Sequence, residues 1–256
     1  MTTSSVGALA LSIGMAAAAG LIGCFAVMRR MTLASDAMSH VALPGIGLAV
    51  VFHLNPVLGG LAALVIGTLL VWGVEHKTRL PTEAIIGVAF SAALALGSML
   101  ASGEDLLHAL FGAPGQVGRA EVVLGLGAAV LVVAFVLRAR SRLVIALISP
   151  DLARASGIDV PLLDLRYLLA FALTVALGLR YLGVLLMGSL IIIPAATARH
   201  LAGSLRAMLI IAVALAVASV LGGFYGAPLF HVETGPFTIA LAAAFFFLGL
   251  GKRRAA

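Results

Sequence analysis

Asp36 and His40, in the stretch "SDAMSHVALPG" (35–45), set a carboxylate and an imidazole four positions apart where an apolar run begins. On a helix that spacing puts both side chains on one face, about 6 Å apart along the axis. A carboxylate oxygen with an imidazole nitrogen makes half of a coordination site for a divalent transition metal, the remaining ligands coming from another helix or water. Counted inward from Arg29-Arg30, His40 falls toward mid-membrane, where an ionisable group is costly unless it faces a pathway or a partner. The same spacing also fits a structural role in which Asp36 caps the helix and His40 bonds a carbonyl. Pro44-Gly45 follows at once, and a proline within a span frees carbonyls that can line a cavity.

The elements that must position this pair are membrane spans. Of 256 residues, 62% are hydrophobic and 10% charged, and apolar runs recur from end to end with no polar stretch long enough to fold separately. The expected fold is all-α, a polytopic transmembrane helix bundle forming one membrane domain over 1–256. About nine spans can be drawn, at 6–28, 36–53, 56–74, 83–101, 122–138, 165–180, 183–198, 207–225 and 237–251. With the N-terminus outside and the C-terminus in the cytoplasm, all but Arg119 and Arg180 of the 16 Lys and Arg residues fall on the inner side. The first run, 6–28, is too long for a signal-peptide core and reads as a retained helix. In this setting the net charge of +6 reflects topology and does not imply nucleic-acid binding.

The opposite surface collects His53, Glu104, Asp105, His108, Glu121, His231 and Glu233 in or beside outer loops, a composition that favours cations, though each is also an ordinary solvated loop residue. The single cysteine, Cys24, lies inside the first apolar run, so no disulfide framework or cysteine-rich metal site can be built.

Two further stretches stand out. In "ISPDLARASGIDVP" (148–161), Ser149 suits an N-cap, Pro150 the first helical position, Asp151 the positive helix start and Gly157 the terminus. That describes a short rigid helix between spans, equally an ordinary loop helix or a knob on which another protein can push. In "GVLLMGSLIIIPAATARH" (183–200), the proline and small residues suggest a helix broken near its inner end, which packing explains as readily as transport.

Taken in order, "MRRMTLASDAMSHVALPG", "LFGAPGQV", "SPDLARASGID" and "GVLLMGSLIIIPAATAR" resemble the membrane permease subunits of bacterial ABC importers for zinc, manganese and iron, and the resemblance covers nearly the whole chain. It implies a homodimer of permeases in the bacterial cytoplasmic membrane, a dimer of cytoplasmic ATP-binding subunits, and an extracytoplasmic solute-binding protein that delivers the metal. It also implies that 150–157 is the coupling helix seated on the ATPase, with Ser149, Pro150, Asp151, Ala153, Arg154 and Gly157 as its defining positions. Asp36 and His40 match the family's transient pathway ligands. The expected cargo is a divalent metal, zinc ahead of manganese or iron, with no permanently bound cofactor. Where the family often has an acidic residue, Pro and Gly before the last helix, this chain reads "HVETGP", making His231 and Glu233, with His53, candidates for an outer relay.

No G-x-x-x-x-G-K-[ST] phosphate loop occurs, so ATP hydrolysis must come from a partner chain and this subunit is not itself an enzyme. A proton-coupled secondary cation transporter is the alternative, but the matching ligand pair expected on a second helix is missing. An intramembrane metalloprotease would need an H-E-x-x-H motif, which is absent.

Overall fold

The computed structural model describes residues 3–78, 80–100, 118–179 and 183–251, and in these it is helical throughout with no strand. Eleven α-helices follow in chain order among the described residues: α1 Thr3–Met28, α2 Thr32–His40, α3 Leu43–Val51, α4 Pro56–Lys77, α5 Thr82–Leu100, α6 Arg119–Ile148, α7 Pro150–Ala155, α8 Val160–Leu179, α9 Gly183–Leu201, α10 Leu205–Gly226 and α11 Thr234–Leu250. A 3-10 turn, Ala227–Phe230, joins the last two. Every one of the nine expected stretches carries helix, but six helices are individually long and apolar enough to cross a membrane among the described residues. Expectations placed on Glu104, Asp105, His108, Arg180, the "LFGAPGQV" segment and the tail from Lys252 lie outside the described residues.

α1 is the axis of the bundle. It packs on α6, α8, α9 and α10, and 72% of its span is buried, against 17% for the span in α6, which lies at the periphery. Small residues make this contact feasible without a hydrophobic force between helices in lipid. At the crossing of α1 and α9, a Cβ on Gly23 would overlap the Ile191 carbonyl, so the backbones touch there. Cys24 is buried in the same helix, its thiol directed at the Met208 carbonyl, as a packing residue.

Two expectations are corrected by the fold. The stretch 36–53 is not one helix: α2 begins earlier, at Thr32, and ends at His40, and a turn through Val41 and Ala42 leads into α3, where Pro44 takes one of the first two positions. Proline has no N–H, so the His40 carbonyl has no partner at residue 44 and one backbone bond that would carry the helix through is missing. Conversely, α9 is not broken. It continues past Pro194, which is buried, while Thr197 Oγ1 donates to the Ile193 carbonyl at 2.8 Å and α1, α2, α10 and α11 pack around it. Tertiary packing outweighs the loss of one backbone bond there.

Candidate metal centre

Asp36 lies in the middle of α2, four residues past Thr32, so the capping role is excluded: Met31 is the N-cap and no side chain bonds the helix start. The carboxylate is exposed and sits over α9 at Gly188, where a Cβ would lie 2.9 Å from Asp36 Cα and 3.3 Å from Oδ1. One turn on, His40 closes α2. Its ring is 9% exposed and meets Phe90 of α5 edge to face, with centroids 5.3 Å apart. The carbonyl-bonded imidazole that the structural alternative requires is not found at Nδ1, which is buried without a hydrogen-bond partner. A buried imidazole nitrogen left unpaired is unfavourable, and the charge nearest it on the same face is the Asp36 carboxylate. The two side chains therefore lie one turn apart on α2 beside a break in the span, Asp36 over α9 and His40 against α5.

Among the described residues no group of three or more His, Cys, Asp and Glu gathers into a metal cluster. Asp36 and His40 thus stand as a pair of candidate donors, with no third such side chain gathered beside them among the described residues.

The three outer candidates are not brought to this centre. His53 follows α3 with φ 54°, and His231 closes the 3-10 turn with φ 53°; both are exposed in the left-handed region that terminates a helix. α3 and α4, which flank His53, pack on each other and on α5, whereas the elements flanking His231 pack on α10 and α9. Glu233 is exposed and occupies the N-cap position of α11 without a side-chain bond, where a negative charge suits the positive helix end. Glu121 accepts from the Gly118 N–H at 3.2 Å and so serves the start of α6.

The short helix between spans forms as its sequence predicts. Ser149 Oγ accepts from the Leu152 N–H at 3.2 Å, Pro150 opens α7, and Gly157, at φ 76°, donates to the Arg154 carbonyl at 3.0 Å. Ala153 is fully buried and anchors α7 between α6 and α8, while Asp151, Leu152 and Arg154 face outward. Asp151 and Arg154 pair with one another at 2.8 Å, an exposed contact.

Beside α7 opens a cleft of 670 Å³ lined by Arg29, Arg30, Thr82, Glu83, Pro150, Asp164 and Arg199 among others. On its wall Arg29 bonds Asp164 at 2.7 Å and lies 4.4 Å over the ring of Tyr167, whose hydroxyl donates to the Ile22 carbonyl at 3.1 Å. Sequence reasoning missed this cluster. Arg29 reads as a membrane-boundary residue, and nothing in the chain pairs it with an aspartate 135 positions later.

Six long apolar helices packed in one bundle among the described residues define an integral-membrane protein. The chain belongs to the ABC 3 transport family, whose model matches residues 2–253. It is 32% identical over 90% of its length to the manganese transport system membrane protein MntC of Halalkalibacterium halodurans, covering 80% of that protein. It is 29% identical to the high-affinity zinc uptake system membrane protein ZnuB of Haemophilus influenzae, over 91% of each chain. Relatives from Listeria and Streptococcus also carry manganese in their names. Among solved structures, PsaBC from Streptococcus pneumoniae in complex with Fab superposes with a TM-score of 0.84 and 26% identity, covering 98% of this chain and 92% of that one.

Proposed function

We propose that this chain is the permease subunit of a bacterial ABC importer that carries manganese or zinc into the cytoplasm by alternating access. The observation that carries this reading is the Asp36–His40 pair beside the break between α2 and α3, with the buried His40 Nδ1 unbonded, in a chain of this family. Imidazole favours zinc, carboxylate is tolerated by both metals, and the relatives are named for both, manganese names being the more numerous. A proton-coupled secondary carrier is not favoured by this kinship.

In the proposed topology the nine helical stretches span the inner membrane as one permease domain, 1–256, N-terminus outside and C-terminus in the cytoplasm, with the Arg29 cleft and α7 on the inner side. A second permease copy, a dimer of ATP-binding subunits seated on α7, and an external metal-binding protein complete the importer. Metal arrives past His231, Glu233 and His53, is held by Asp36 and His40, and leaves when ATP-driven motion of α7 opens the inner side. Two donors per chain suit transport, since a site closed by four protein ligands would bind too tightly to release its cargo.

The test is uptake of labelled manganese and zinc, each with the other as competitor, in cells lacking this gene and complemented with wild type or with Asp36→Ala, His40→Ala. Uptake restored by wild type alone, at equal membrane abundance, supports the site. Full uptake by the double variant sinks it, and the metal that competes at lower concentration is the cargo.

A further inference from the structure

We propose that the Arg29–Asp164 ion pair is the link that carries motion of α7 to the metal-bearing helix α2, with Arg29 and Asp164 as positioning residues; this rests on the import reading above. From α7 the chain passes Gly157, at φ 76°, and Asp159, whose carboxylate accepts from the Leu162 N–H at 3.1 Å, into α8, which carries Asp164 in its second turn. On the other side Arg29 directly follows α1, Arg30 comes next at φ 60°, and Met31 is the N-cap of α2, on which Asp36 is the fifth residue. The pair thus joins the far sides of two sharp backbone turns, one leading from α7 and one leading to Asp36.

The local chemistry suits a link that moves as a unit. The guanidinium is held to α8 twice, by the Asp164 carboxylate at 2.7 Å and by the Tyr167 ring at 4.4 Å from its centroid. Arg29 therefore follows α8. The two side chains are 15% and 24% exposed, dry enough for the attraction to escape most screening. They also stand on the wall of the 670 Å³ cleft, so the pair has room to shift without repacking the core. Nearby, Arg199 donates to the Val27 carbonyl at 3.2 Å, which ties the end of α1 to α9, the helix on which Asp36 rests. A displacement of Arg29 then changes how α2 lies on α9, where the carboxylate of the metal centre sits.

The experiment is reconstitution of the permease with its ATPase and binding protein, reading manganese and zinc uptake together with ATP hydrolysis. The variants are Arg29→Gln, Asp164→Asn, Arg29→Lys, and the reversed pair Arg29→Asp with Asp164→Arg. The link predicts that each neutral variant lowers uptake by about tenfold while hydrolysis stays within about twofold, and that the reversed pair or Arg29→Lys recovers a large part of the uptake. Neutral variants that keep normal uptake overturn it. So does a parallel loss of uptake and hydrolysis that neither charge-preserving variant rescues, since a merely structural pair behaves that way. Wild-type uptake is read first: no metal moved by wild type sinks the import reading itself, whereas wild-type uptake with unaffected variants sinks only the link.

Discussion

Gly188 lies directly beneath Asp36: a Cβ at that glycine would stand 2.9 Å from the Asp36 α-carbon. α2 can rest on α9 here only because this position has no side chain, and the height of the carboxylate above α9 is set by that contact. Gly188→Ala must therefore lift α2. Expected is a fall in uptake of about tenfold, with a thermal destabilisation of about 1–3 kcal/mol. Uptake in vesicles and a melting curve in detergent check the two together, and unchanged uptake would show that α2 tolerates displacement.

His40 can be removed with little structural loss because its Nδ1 has no bond to lose. His40→Phe keeps an aromatic ring against Phe90 and eliminates a buried unpaired nitrogen, so folding stability is expected to hold or rise by up to about 1 kcal/mol. Transport should nevertheless fail. A variant at least as stable as wild type but unable to take up manganese or zinc separates coordination from packing; normal uptake would remove His40 from the pathway.

The Asp151–Arg154 contact is within α7 and exposed, so reversing it by Asp151→Arg with Arg154→Asp keeps an i, i+3 pair worth under about 1 kcal/mol. Stability should not change, yet the charge pattern on the outer face of α7 is inverted. Permease-stimulated ATP hydrolysis is expected to drop several-fold. Equal stimulation by the reversed helix would mean that these charges do not face the partner.

Gly157 adopts φ 76°, which costs a side chain about 1 kcal/mol. Gly157→Ala should loosen the end of α7 by that order, and Ser149→Ala should cost about 1 kcal/mol at its start through loss of the bond from Leu152. Because α7 is short, hydrogen exchange of its amides should rise in either variant before the core does, a local change that mass spectrometry can read.

His53 and His231 hold left-handed conformations that glycine adopts without strain. His53→Gly and His231→Gly therefore keep or improve both turns while deleting the imidazoles. If the histidines relay metal, uptake falls at limiting metal and recovers at saturating metal. If uptake is unchanged at both, they are turn residues only.

The candidate residues were legible because membranes penalise charge: an aspartate and a histidine inside an apolar run stand out, and their i, i+4 spacing already puts them one turn apart on a helix. The capped helix at 150–157 was equally readable, since Ser, Pro and Gly act through bonds to neighbours a few residues away. The positions of the helical stretches followed from hydropathy for the same reason. What the sequence could not decide were relations between distant segments. Pro44 and Pro194 look alike in sequence, yet one marks a break and the other lies inside a continuous helix, because the outcome depends on what packs around each. Phe90 against His40, Gly188 under Asp36 and Asp164 on Arg29 are contacts between helices far apart in the chain, invisible to periodicity. Local bonding and the cost of burying charge are written in the order of residues; which helix faces which is settled only when the small side chains of α1, α3, α4 and α9 let their backbones meet.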